Sequence, residues 1–92
     1  MNIRKISVDD TLQLRRDVLY PNWELSAVKL DHDVDGLHFG VFESGQLVTV
    51  VSLLLGRQEA QFRKLATTPA AQGKGYGNAV LSHLVDSCKK EK

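Results

Sequence analysis

Three glycines in alternation near the end of the chain form its clearest candidate binding site. The segment Gln72-Gly73-Lys74-Gly75-Tyr76-Gly77 follows an apolar run and Pro69, and an amphipathic helix pattern begins directly after it. Glycines leave the backbone uncovered, so several N–H groups can point in one direction, and the positive end of the helix dipole adds to their field. The pattern therefore predicts a phosphate or pyrophosphate site. The alternative is a plain glycine-rich turn, although a turn seldom needs three alternating glycines.

The spacing excludes two common phosphate-binding motifs. A Walker loop requires Ser or Thr after Gly-Lys, where this chain has Gly75, and the dinucleotide fingerprint requires G-x-G-x-x-G instead of G-x-G-x-G. The pattern that fits is Gln/Arg-x-x-Gly-x-Gly, with Gln72, Gly75 and Gly77 at the fixed positions. Together with the preceding stretch from Phe62, the segment resembles the strand, acetyl-coenzyme A loop and helix start of the GNAT family of N-acetyltransferases.

This resemblance implies how acetyl-coenzyme A would bind. In the family the pantetheine arm pairs with the backbone of the strand before the loop, which is irregular at its end and leaves some N–H groups free. The pyrophosphate lies on backbone N–H groups of the loop, and Lys74 could add a charge contact or be a solvated lysine. Carried over, the cofactor-binding residues are Leu65, Ala66, Thr67, Gln72, Gly73, Lys74, Gly75, Tyr76 and Gly77. The expected reaction transfers an acetyl group from acetyl-coenzyme A to a primary amine of a small molecule.

The catalytic base is less clearly indicated. Many family members use a Glu on the strand before the loop. The position that some of them use corresponds to Gln61, and an amide cannot take up a proton at neutral pH. Glu59 lies two residues earlier, on the same face of a regular strand. It is the only carboxylate on that predicted strand and is therefore our candidate base; a solvent-facing Glu at a strand start is the alternative.

The resemblance covers essentially the whole chain but only the first part of the family fold. The family's usual general acid is a Tyr that follows a later strand and helix, and neither Tyr20 nor Tyr76 matches that position. We therefore expect residues 1–92 to form a single, incomplete acetyltransferase domain. Three interpretations stay open: a fragment of a full enzyme, a short protein completed by a second copy, or a coenzyme A-binding module without transferase activity. In each case we expect the strand before the loop to have an unpaired, apolar edge, and a homodimer to form through that edge.

The hydrophobic pattern predicts an α/β (α+β) fold with a mainly antiparallel sheet flanked by helices. Ser7 and Asp10 have the spacing of a helix start, and Pro21 ends a helix pattern that runs through Leu19. Ser44-Gly45 is typical of a tight hairpin turn. Strands are predicted at residues 3–7, 37–43, 46–55 and 59–67, a short helix at 25–30, and a final helix from about Gly75. The strand at 46–55 is rich in Val and Leu on both faces, which predicts that both faces are covered.

Composition restricts the function classes. The chain has 42% hydrophobic and 25% charged residues and a formal net charge of +1, which argues against a nucleic-acid partner. No apolar run approaches the roughly 20 residues of a membrane span. A single cysteine suggests a reducing, cytoplasmic setting. The run Asp31-His32-Asp33-Val34-Asp35 is typical of a solvated acidic loop, and no metal is predicted.

Overall fold

Four antiparallel strands form one sheet in the order β1-β2-β3-β4. The computed structural model describes residues 2–29, 36–55 and 60–90. The strands are β1 (Asn2–Ile6), β2 (Leu37–Glu43), β3 (Gln46–Leu55) and β4 (Ala60–Thr67). The predicted antiparallel sheet is thus confirmed, and the first strand adds to it by pairing with β2.

The first helix begins at the predicted cap. The Ser7 side-chain oxygen accepts a hydrogen bond from the Asp10 N–H at 3.3 Å, and the Asp10 carboxylate accepts one from the Ser7 N–H at 3.2 Å. Helix α1 (Val8–Leu14) then continues as a π-helical turn (Arg15–Leu19), which ends before Pro21. The predicted helix through Leu19 is thus confirmed, although its last five residues have the wider i→i+5 bonding of a π-helix and not the α-helical pattern.

Both faces of β3 are covered, as its apolar pattern predicts. Helix α2 (Tyr76–Lys90) packs on one face, where Val51, Val80 and Leu84 are buried together. Helix α1 packs on the other face, where Val50 shares a cluster with Leu14. The sheet is therefore the middle layer of a helix–sheet–helix arrangement.

Two short connections follow the sequence patterns. Ser44 and Gly45 join β2 to β3 with φ values of 52° and 81°, which is the left-handed pair of a type I′ hairpin turn. Among the described residues before β2, Leu25–Val28 form a short 3₁₀ helix, close to the predicted 25–30. None of the helices in the described part of the chain is long and apolar enough to cross a membrane.

Strand β4 carries a bulge beside its open edge. Ser52 pairs with Arg63 and Val50 pairs with Ala66, so one residue of β3 faces two residues of β4, Lys64 being one of them. Lys64 adopts a φ of 57°, the left-handed region that glycine prefers. Within the described residues no strand pairs with the outer edge of β4. The expectation of an apolar edge was wrong, because exposed polar residues such as Arg63 alternate along the strand.

Candidate functional site

An open cleft of about 410 Å³ lies where β4 ends and α2 begins. A 3₁₀ turn (Pro69–Ala71) follows β4, and the glycine-rich segment then leads into α2. The residues that line the cleft are Thr67, Ala71, Gln72, Gly73, Gly75, Tyr76, Gly77 and Asn78. The structure therefore brings most of the predicted loop residues together around one cavity.

Two of the glycines are required by backbone conformation. Gly73 and Gly75 have φ values of 81° and 85°, and a Cβ added to either would meet no atom within 4 Å. Their constraint is therefore the left-handed backbone and not the available space. Gly77 has a different role, because a Cβ at that position would lie 3.3 Å from the Leu65 side chain. Its small size lets the start of α2 approach β4 closely.

The loop presents a group of available backbone donors. Among the described residues, none accepts a hydrogen bond from the backbone N–H groups of residues 73–78. The first N–H of this region with a partner belongs to Ala79, which donates to the Gly75 carbonyl at 3.0 Å. The donors precede or begin α2, where the helix dipole is positive. A negatively charged oxygen group is the ligand that such a cleft accommodates best.

The side chain of Gln72 explains its fixed place in the motif. Its amide Nε2 donates a hydrogen bond to the Thr67 carbonyl at 2.9 Å, which ties the loop to the last residue of β4. The Thr68 N–H donates to the Val48 carbonyl at 2.8 Å on the other side of the strand. Because hydrogen-bonding directions alternate along an antiparallel strand, the Thr67 N–H points away from β3 towards the open edge.

A second contact joins the loop to the β2–β3 hairpin. The Tyr76 hydroxyl donates a hydrogen bond to Glu43 Oε2 at 3.0 Å. This bond to a carboxylate raises the pKa of Tyr76 above its usual value, with burial adding in the same direction. The phenol therefore stays protonated at neutral pH and keeps the contact.

The remaining predicted residues have separate locations. Lys74 is exposed, and Leu65 is on β4 beside Gly77, while Ala66 is buried under α1. Glu59, the candidate base, lies outside the described residues, and Gln61 is exposed on β4. The acidic run from Asp31 also lies outside them, and the described part of the chain contains no group of His, Cys, Asp or Glu that could hold a metal.

A cluster that the sequence did not reveal lies beside the bulge. The Lys64 ammonium donates a hydrogen bond to the Tyr20 hydroxyl, and the Tyr20 ring stacks on Trp23 with a centroid distance of 4.4 Å. Half of the Trp23 surface, 50%, is exposed. Because Lys64 and Tyr20 are 44 residues apart, no local pattern joins them.

A buried polar network lies under the same side of the sheet. Arg15 is fully buried, and its guanidinium donates to the Ser52 hydroxyl at 2.7 Å and to the Val28 carbonyl at 3.4 Å. His38 Nδ1 is 2.7 Å from the same hydroxyl. The network therefore attaches the segment that follows Trp23 to the π-helical turn and to strand β3.

Comparisons with known proteins agree with this architecture. The family model described as "Acetyltransferase (GNAT) family" matches residues 2–92. An uncharacterized N-acetyltransferase, YitI, of Bacillus subtilis (strain 168) is 27% identical, over 90% of this chain and 62% of that protein.

Two solved structures have the same fold. An IAA acetyltransferase from Bacillus cereus ATCC 14579 superposes with a TM-score of 0.73 at 24% identity, over 98% of this chain and 59% of that one. The ribosomal-protein-S18-alanine N-acetyltransferase from Escherichia coli superposes with a TM-score of 0.77 at 20% identity, over 98% of this chain and 60% of that one. The chain thus spans about three fifths of the length of these relatives.

Proposed function

Because this chain belongs to the acetyltransferase (GNAT) family, we propose that it takes an acetyl group from acetyl-coenzyme A and transfers it to the primary amine of a small molecule. The observation that carries this proposal is the set of backbone N–H groups at residues 73–78, which face a cleft and have no acceptor among the described residues. The oxygens of a pyrophosphate can accept the hydrogen bonds of these N–H groups.

The loop and β4 would bind different parts of acetyl-coenzyme A. The N–H groups from Gly73 to Gly77 would hold the pyrophosphate, Gln72 would keep the loop against Thr67, and the exposed Lys74 would add a positive charge. The pantetheine arm would run along the open edge of β4 beside residues 65–67, where the Thr67 N–H is directed outward. Burial of Ala66 under α1 fixes the strand that would form this wall.

The chemistry would then need two protein functions at the reacting carbonyl. When bound, acetyl-coenzyme A supplies a thioester whose carbon the amine attacks. Backbone N–H groups at the end of β4 would stabilise the negative charge that develops on the carbonyl oxygen. Glu59 would accept the proton that the amine loses, because no carboxylate occurs in the β4 sequence itself. The carbon–sulfur bond would break as the amide forms, and coenzyme A would leave as a thiolate that takes up a proton from water.

A binding module without transferase activity is the second candidate. The observation that favours it is Gln61, an amide at a position where some family members carry a carboxylate.

The open edge of β4 bears on both candidates. No strand among the described residues pairs with this edge, and we propose that a second copy of the chain pairs with it in solution. The single cysteine fits a reducing, cytoplasmic setting.

Two measurements on the same sample separate the candidates. Calorimetric titration with acetyl-coenzyme A tests the binding site, and thiol release with a panel of amines tests transfer. Binding with amine-dependent thiol release supports the transferase, whereas binding without release supports the binding module. No binding contradicts both. If release occurs, Glu59→Gln should reduce the rate about 100-fold, since general-base catalysis typically contributes factors of this size.

The dimer is tested by light scattering at several protein concentrations. We expect a mass that approaches two chains as the concentration rises. Arg63→Pro, which places a proline on the exposed edge strand, should shift the mass towards one chain. A monomer at every concentration contradicts the dimer and leaves the binding proposal unaffected.

A further inference from the structure

The cluster of Tyr20, Trp23 and Lys64 stands apart from the glycine-rich loop. The Lys64 ammonium donates to the Tyr20 hydroxyl and lies 5.0 Å from the ring centroid. The Lys64 charge therefore contacts both the hydroxyl and the ring of Tyr20. The Tyr20 ring also stacks on the Trp23 ring, with an interplanar angle of 21°.

The backbone of Lys64 has a conformation that is unusual for lysine. A φ of 57° lies in the left-handed region, which is unfavourable for any residue that carries a Cβ. Strained residues of this kind concentrate where a particular side chain is needed at a functional site. The bulge also turns Lys64 towards α1 and away from the loop, because its ammonium reaches the residue that follows the π-helical turn.

The hydrogen-bonding capacity of the pair is only partly used. An ammonium has three donors, and Tyr20 takes one of them; the Tyr20 oxygen accepts that bond and keeps its own proton to donate. In the described part of the chain no carboxylate pairs with Lys64. Two adjacent donors of which one is charged match the two oxygens of a carboxylate.

The residues around this pair of donors indicate the chemical character of the rest of such a ligand. Trp23 is 50% exposed and stacked on Tyr20, so it offers an apolar surface beside the two donors. Lys64 comes directly before residues 65–67 on β4 and is therefore farther along the strand from the loop than they are. A ligand that runs back along β4 from the loop would therefore bring its reactive end towards this cluster.

We propose that Lys64, Tyr20 and Trp23 bind the acetyl acceptor, and that this acceptor is an amine that also carries a carboxylate and an apolar or aromatic body, as an α-amino acid does. Lys64 and the Tyr20 hydroxyl bind the carboxylate, and Trp23 packs on the apolar body. The identification as acceptor rests on the proposed function, whereas the carboxylate site itself stands on the contacts of the cluster.

The chain provides its own probe for this site, because Trp23 is its only tryptophan. Tryptophan fluorescence is titrated with phenylalanine, with phenylalanine amide and with 2-phenylethylamine. We expect phenylalanine to bind about tenfold more tightly than the two ligands without a carboxylate, the size expected for a hydrogen-bonded charge. Lys64→Met should remove this preference, and Lys64→Arg should retain most of it.

A matched control tests whether the effect belongs to the site. Lys5→Met removes the same charge from an exposed position on β1, the opposite edge of the sheet, and should leave all three titrations unchanged. Equal dissociation constants for phenylalanine and its amide in the unaltered chain overturn the proposal, as does the absence of any fluorescence change. This outcome needs no variant and so does not depend on how a variant folds.

The result is distinguishable from failure of the proposed function. Calorimetry on the same sample measures acetyl-coenzyme A binding at the loop, which the fluorescence titration does not require. Preference for the carboxylate without acetyl-coenzyme A binding contradicts the transferase and supports the carboxylate site. Acetyl-coenzyme A binding without the preference overturns only the inference about the acceptor.

Discussion

The two sides of the sheet use different parts of the polypeptide for their polar contacts. On the α2 side, the glycine-rich loop offers backbone N–H groups, and at Gly73 and Gly75 a side chain would be strained. On the α1 side, the polar groups belong to side chains, with Arg15 and Ser52 buried in one network and Lys64 bonded to Tyr20 at its margin. Adding a side chain should therefore damage the first region, and removing one should damage the second.

The largest effect should follow from removal of the buried charge. Arg15→Met keeps an unbranched stem but leaves the Ser52 hydroxyl and the Val28 carbonyl without their donor. We expect a loss of about 3 kcal/mol in the free energy of unfolding, measured with urea. Arg16→Met is the control, because that arginine is half-exposed and pairs only at the surface with Asp17. Equal losses in the two variants would contradict the role of the network.

The loop should respond most strongly to an added side chain. Gly75→Val places a β-branched residue at a φ of 85°. We expect acetyl-coenzyme A to bind about 100-fold more weakly by calorimetry, since the backbone must move and a bulky group enters the cleft.

The hairpin turn supplies the matched control for this variant. Gly45→Val imposes the same strain at a φ of 81°, also with no atom near the added Cβ. Both variants should lose roughly 1–2 kcal/mol of stability, but only Gly75→Val should lose binding. Parallel loss of binding in both would mean that the effect comes from stability alone.

A smaller effect is expected where the loop depends on a side chain. Gln72→Ala removes the hydrogen bond to the Thr67 carbonyl and leaves the backbone donors in place. We expect acetyl-coenzyme A to bind about fivefold more weakly, in line with the net value of one hydrogen bond. Gln46→Ala, at an exposed position on β3, should change nothing. An effect of Gln72→Ala as large as that of Gly75→Val would mean that the side chain, and not the backbone, dominates the site.

The smallest effect should appear only at alkaline pH. The bond to Glu43 raises the pKa of Tyr76 in the folded chain above its unfolded value near 10. The folded state therefore holds the phenolic proton more tightly, so its contribution to stability is complete below about pH 10 and is lost as the pH rises through the folded pKa. Tyr76→Phe should flatten this decline in thermal unfolding scans. An unchanged decline would contradict the contact.

What the sequence could predict differs between the two sides for a physical reason. The loop, the Ser7 cap and the Ser44-Gly45 turn each depend on residues that are neighbours in the chain, and their backbone requirements restrict which amino acids occur there. The strand pattern of β3 likewise predicted its cover on both faces, because burial shows directly in composition.

The contacts of the α1 side join residues that are distant in sequence. Lys64 meets Tyr20, and Arg15 meets Ser52, only because the fold brings β3 and β4 under the π-helical turn. The family resemblance implied an irregular end to this strand, but its exact place at Lys64 was hidden, since lysine gives no sign of a left-handed backbone. The base assigned to Glu59 stays a prediction, because that residue lies outside the described part of the chain.

The Ser44-Gly45 turn has a consequence for the order in which the chain folds. It closes the β2–β3 hairpin over two residues, so this pairing can form within about 1–10 μs, whereas β1 must find β2 across the intervening segment that contains α1. The loop depends on β4 and on the Val48 carbonyl of β3, and therefore assembles on a hairpin that already exists. We expect folding rates to be sensitive to substitutions at Gly45 and nearly indifferent to those at Gly75, although the two glycines share one conformation.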